Sequence, residues 1–175
     1  MKKDLYTKEE INQISKAATA IHNKRFGRDF RNGDTGNHRI EREIIGKLGE
    51  VAASKYYGGT VDFSLRESGT FTFDSDLDEN VHVKTCSYDE RYKSNSWTMD
   101  RSDPLIIRPD PKDIIVLVYA KLNEDGTGET EVVGHVYAKD IISHYVDCRS
   151  PRMKHKCAFY WEDIKKDIVL EKQMS

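Results

Sequence analysis

Apolar residues recur along this chain with two different periods, and the change from one to the other marks out its elements. Behind Thr7-Lys8-Glu9-Glu10, the residues Ile11, Ile14, Ala18 and Ile21 share one face at helical spacing. Thr followed three residues later by Glu is a capping-box signature, so a helix is expected from about Thr7 to Phe26. From Gly27 to Asn37 the periodicity stops and Gly, Asn, Asp and Arg dominate, which reads as a loop. A second helical stripe, Ile44, Leu48, Val51, Ala52 and Tyr56, runs through Arg39 to Tyr57. Glu43, Lys47, Glu50 and Ser54 form a separate polar stripe that reads as a solvated face, while Gly46, Gly49 and Ala53 are small enough to let another backbone approach. From Phe71 the period drops to two. Phe71, Phe73 and Leu77 alternate with Thr72, Asp74 and Asp76, and Val81 and Val83 alternate with His82 and Lys84.

Putting the phenylalanines and valines of those two runs on one face requires an odd number of turn residues, because a slip by one turns an apolar set outward. Asp78-Glu79-Asn80 meets that condition and places Asn80 where a three-residue turn needs a left-handed backbone. In this register Asp76 faces His82 and Asp74 faces Lys84. An ordinary hairpin with a charged outer face would show the same alternation. Further on, Asp113 to Val118 and Val132 to Val136 read as strands, Asp140-Ile141-Ile142 as helical, and Ala158 to Trp161 as a last strand. The stretch from Asp89 to Pro111 holds three of the four prolines and reads as irregular, with Trp97 fixing it to the core.

Taken together, a helix bearing Gly49-Glu50, a hairpin with Asp76-Leu77 and then Val81-His82-Val83-Lys84-Thr85 resemble the PD-(D/E)XK nuclease superfamily. The resemblance spans roughly Arg39 to Ile142 and implies a restriction-endonuclease-like α/β fold, a mixed central sheet flanked by helices. It also implies a nuclease that hydrolyses phosphodiester bonds, in DNA by analogy; an endonuclease is slightly favoured over an exonuclease because nothing in the sequence indicates a ring or motor partner. Its cofactor would be Mg2+ or Mn2+, with Asp76 and the carbonyl of Val83 as ligands, Glu50 contributing directly or through water, and Lys84 positioning the attacking water. Asp74 is the alternative acid, and Asp62 a more distant one. One position departs from the pattern: His82 stands where the superfamily has an Asp or Glu before the intervening residue and Lys. An inactive nucleic-acid-binding module that retains the nuclease fold is therefore the alternative reading, and a protein-interaction domain with a solvated hairpin face is a third.

Composition narrows this further. A chain of 175 residues that is 37% hydrophobic is the size of a single domain, here spanning 1–175. Its net charge of -2 excludes a globally basic nucleic-acid binder, so attraction to DNA has to come from local patches. Lys24, Arg25, Arg28, Arg31, Arg39 and Arg42 form one patch, and Arg149, Arg152, Lys154, His155 and Lys156 another. Arg39, Arg42, Lys47, Arg149, Arg152, Lys154 and Lys156 are the candidate phosphate contacts. Three cysteines give no disulfide framework, and the spacing of His144, Cys148, His155 and Cys157 matches no zinc pattern. No secretory signal, membrane-spanning run or Gly-rich phosphate loop is read, so a cytoplasmic protein without ATP-driven translocation is expected. Oligomeric state is left open, a homodimer included.

Overall fold

The computed structural model describes residues 2–26, 33–58, 80–87, 96–141, 146–147 and 156–160. Strand β1 (Lys2–Tyr6) precedes helices α1 (Lys8–Phe26) and α2 (Gly33–Tyr57), and then come β2 (Val81–Ser87) and β3 (Ser96–Asp100). The one-turn helix α3 (Pro104–Ile107), β4 (Ile114–Leu122), β5 (Gly128–Tyr137), the one-turn helix α4 (Ala138–Ile141), β6 (Val146–Asp147) and β7 (Lys156–Tyr160) follow. A four-stranded sheet has the order β1-β5-β4-β2, and a three-stranded sheet has the order β3-β7-β6. The larger sheet is mixed, because β2 runs parallel to β4 while the β4–β5 and β5–β1 pairs are antiparallel.

Strand β4 is the centre of the structure. Ile115 through Ala120 are all buried, as expected of a strand covered on both faces rather than one. Alternation then divides its side chains. Val116 and Val118 meet Ala52 and Ala53 of α2, together with Val83 and Val132. Ile115, Leu117 and Tyr119 point the other way, into a cluster with Trp97, Met99, Leu105, Ile141 and Phe159. The molecule is thus layered, with α1 and α2 on one face of the main sheet and the small sheet with α3 and α4 on the other. This refines the expected arrangement of a mixed sheet flanked by helices, since among the described residues the long helices lie on one face only.

The opposite layer corrects the reading of Asp89 to Pro111 as irregular. Trp97 and Met99 alternate toward the core of β3, which pairs antiparallel with β7 so that Trp97 lies opposite Phe159. Their rings stack with centroids 5.8 Å apart, and Trp97 also meets the Tyr119 ring at 5.2 Å. Trp97 therefore packs the core, as its sequence context suggested. The last strand is present as β7, and Cys157 within it donates from Sγ to the Met99 carbonyl.

At the start of the chain the capping box forms in full. The Thr7 N–H donates to Glu10 Oε1 at 3.1 Å and the Glu10 N–H donates to Thr7 Oγ1 at 3.2 Å. The Thr7 N–H, by donating to the carboxylate, also holds the Glu10 carboxyl below its ordinary value. Helix α2 begins earlier than the apolar stripe indicates, at Gly33 rather than Arg39. Strand β1 is unanticipated, and it docks through Tyr6, which is 2% exposed and accepts from the Thr130 hydroxyl at 3.1 Å.

A bulge in β5 sets which residues face the helices. Leu117 pairs with Gly134 but Val118 pairs with Val132, so Val133 is the inserted residue. Gly134 has φ 148°, a backbone conformation that side-chain-bearing residues rarely adopt. Beyond the bulge the alternation is reversed, and His135 turns toward α2, with Nδ1 2.9 Å from the Tyr57 hydroxyl.

The C-terminal turn of α2 is tied to β1. Tyr56 donates to Asp4 Oδ2 at 2.7 Å, and this bond to a carboxylate is the main reason its phenol is pushed up to about 12 from 10.0. A folded-state value above the unfolded one means the bond stabilises the fold fully below pH 10 and is lost as pH rises through 12. The thermal midpoint of the native chain should accordingly fall more steeply across that window than that of Tyr56→Phe. Parallel curves for the two proteins would show that this hydrogen bond does not contribute.

Candidate active site on the outer strand

Strand β2 carries the sequence motif and lies at the end of the described strand order. Its seven residues divide cleanly. Val83 packs against Ala52 and Ala53 of α2, and Gly49 of α2 sits directly on Thr85. A Cβ added at Gly49 would fall inside the Thr85 side chain, so glycine is what permits the close approach that the sequence suggested. By alternation His82, Lys84 and Cys86 face the other layer, where Cys86 packs against the inter-sheet core. Burial raises the Cys86 thiol above its ordinary value, which makes it a poor nucleophile.

Glu50 follows from the same helix geometry. Leu48 packs by Gly128 near the sheet interior, and Gly49, about 100° further around the axis, packs on Thr85. Another step in the same sense carries Glu50 past β2. There its Oε2 is 2.9 Å from Lys47 Nζ, and the two side chains are only 15% and 16% exposed. The polar stripe expected to be a solvated face is therefore half-buried at this point. Lys47, expected among the phosphate contacts, is engaged with Glu50 in this structure.

The face bearing His82 and Lys84 contains two acids that the sequence reading did not single out as functional. His82 Nε2 is 3.2 Å from Asp113 Oδ1, with these side chains 15% and 13% exposed. Lys84 Nζ is 4.0 Å from Asp103 Oδ2, a distance too long for a direct hydrogen bond. Each aspartate uses its second oxygen locally. Asp103 is the N-cap of α3 and accepts from the Leu105 N–H at 2.9 Å, while Asp113 accepts from the Asp110 N–H at 2.9 Å. A backbone turn thus orients each carboxylate toward β2. The signals for both were present in the chain, since Asp103-Pro104 is a helix-start pattern and Asp110-Pro111-Lys112-Asp113 is a turn pattern.

Other expected site residues fall in several places. Asp62, Asp74, Asp76, Arg28, Arg31, His144, Cys148, Arg149, Arg152, Lys154 and His155 lie outside the described residues. Arg39 and Arg42 lie on α2, with Arg42 exposed. Lys156 begins β7, where its Nζ is 3.8 Å from Asp100 Oδ1. The structure brings Glu50 and Lys84 to the same outer strand, but from opposite sides of it. Among the described residues no group of three or more His, Cys, Asp or Glu side chains could hold a metal ion. The donor chemistry nonetheless suits a divalent ion in one respect, for an imidazole with a carboxylate on one ring nitrogen is the usual form of a metal-binding histidine. No described helix is long and apolar enough to cross a membrane.

No protein-family model, curated protein or solved structure matches the chain.

The Gly49 contact yields a direct test. Gly49→Ala should destabilise the fold by about 1–3 kcal/mol in urea unfolding, the usual range for overpacking. Thr85→Ala should recover part of that loss in the double variant. Strictly additive effects would mean that the two residues do not meet.

Proposed function

We propose that this chain is a metal-dependent nuclease of the PD-(D/E)XK type, cleaving DNA as an endonuclease with Mg2+ or Mn2+. The observation that supports the reading most is the packing of Gly49 on Thr85. It joins the helix turn bearing Glu50 to the strand segment bearing His82, Val83 and Lys84, the two parts from which the resemblance was drawn. In this reading Asp76, or Asp74 in its place, would hold the ion with the Val83 carbonyl, and Glu50 would contribute directly or through water. The bound ion would supply an activated water and neutralise charge on the phosphate.

Lys84 is the group of this chain best suited to the phosphate itself. Its ammonium is 29% exposed and only loosely opposed by Asp103, so it has donors to offer an anionic oxygen. Asp103 keeps the ammonium on the polar face of β2 without occupying it. Arg39, Arg42, Arg149, Arg152, Lys154 and Lys156 would contact phosphates further along the strand.

The His82–Asp113 pair favours a second reading, a nucleic-acid-binding module without cleavage, because it places a hydrogen-bonded imidazole where a free acid would serve a metal. The two separate in one assay. Plasmid, linear duplex and single-stranded DNA are incubated with Mg2+, Mn2+ or chelator, using the native chain, Lys84→Ala and Asp76→Ala. Metal-dependent cleavage by the native chain, reduced at least a hundredfold in both variants while DNA binding persists, is expected. Binding without cleavage under any metal would establish the module instead, and neither binding nor cleavage would leave the interaction domain.

A further inference from the structure

Asp103 uses its two carboxylate oxygens differently, and only one of them serves its own element. Oδ1 caps α3 by accepting from the Leu105 N–H at 2.9 Å, while Oδ2 is turned to β2 and lies 4.0 Å from Lys84 Nζ. Capping does not call for a charge, since Asn and Ser cap a helix about as well as Asp does. The residue is nonetheless held at both of its backbone groups. The Asp103 N–H donates to the Asp100 carbonyl at 2.9 Å, and the Asp103 carbonyl accepts from the Ile106 and Ile107 N–H groups at 2.9 and 3.1 Å. Leu105 anchors the same turn in the inter-sheet core, against which Cys86, two residues beyond Lys84, also packs. The neighbouring acid, Asp113, is engaged by His82, so Asp103 is the carboxylate that Lys84 faces. An ammonium on a flexible four-carbon stem therefore stands opposite a rigidly held negative charge.

We propose that Asp103 is a positioning residue that confines the Lys84 ammonium over the polar face of β2, weakening its hold on DNA but giving it one geometry toward the scissile phosphate. The inference rests on the nuclease reading and adds a residue to it, with no metal ligand involved. At 4.0 Å the pair is too far apart for a direct hydrogen bond, yet with Asp103 only 15% exposed the attraction is less screened than on an open surface. Lys84 thus keeps its three donors for phosphate oxygens while its stem loses freedom. Confinement favours turnover, because a misplacement of about 1 Å can cost about a hundredfold in rate. The same carboxylate repels the phosphate that Lys84 attracts, so turnover and affinity are set against each other.

The test compares the native full chain, Asp103→Asn, Lys84→Ala and the double variant. Binding to a short DNA duplex is read in chelator by fluorescence anisotropy, and single-turnover cleavage of the same duplex is read with Mg2+ or Mn2+. Asp103→Asn keeps the cap and removes only the charge. It should bind DNA about two- to fivefold more tightly, the weight of one partly exposed charge pair, and cleave about ten- to a hundredfold more slowly. A damaged fold would lose both together. In the Lys84→Ala background the Asp103→Asn change should have neither effect, because it acts through the ammonium. Should Asp103→Asn fail to fold, Asp103→Ser, which also caps, is read in its place. Binding and cleavage equal to the native chain, or an effect that persists without Lys84, would reduce Asp103 to a helix cap while native cleavage left the nuclease reading standing. If the native chain cleaves under neither metal, the positioning role falls with that reading.

Discussion

The burial of β4 on both faces is the constraint to which the other elements answer. Six consecutive buried residues demand a covering layer on each side, and the chain supplies two layers of different kinds. Helices α1 and α2 present a broad apolar stripe to one side. On the other side, a pair of alternating strands contributes Trp97, Met99 and Phe159, whose stacked rings fill a large volume with few residues. Between these layers β2 adds to β4 in parallel, so its two faces inherit the two environments. One face is apolar and pressed against α2, and the other is polar only at its first half, where His82 and Lys84 stand before the core resumes at Cys86.

That division explains the character of the candidate site. His82 and Lys84 lie at the margin of the inter-sheet core, where charge is costly unless answered. Asp103 and Asp113 answer it from the two ends of a single connection, the segment containing α3 and its flanking prolines. Each acid is oriented by its own backbone turn before it meets β2. The polar face is therefore assembled by a strand and one connecting segment, while Glu50 of α2 pairs with Lys47 on the other side of β2.

Much of this was legible in the chain, and the parts that were not have a common cause. The capping box at Thr7 and Glu10, the apolar stripe of α2, the continuous run of β4 and the small residue at Gly49 are local patterns, and each corresponds to what forms. The first turns of α2, rich in Gly, Asp and Asn, have poor helical propensity, and propensity is readily overridden by packing elsewhere on the same helix. Strands β1 and β3 are five residues each, too short for periodicity to stand out. Both exist because of partners far along the chain, β5 and β7. Asp103 and Asp113 gave turn signals, but their approach to Lys84 and His82 is a tertiary fact that spacing does not encode.

The pairing of β1 with β5 also has a bearing on how the chain acquires its structure. Tyr6 and Thr130, joined by a hydrogen bond, are 124 positions apart, so closing that contact requires nearly the whole intervening polypeptide to exist first. Helix α1, capped by its own neighbours, is free of that requirement. During vectorial synthesis the first helix would take shape early, while the strand immediately ahead of it waits for its neighbour to emerge from the ribosome. That edge of the main sheet is thus sealed late, by a segment made well before the strand it pairs with.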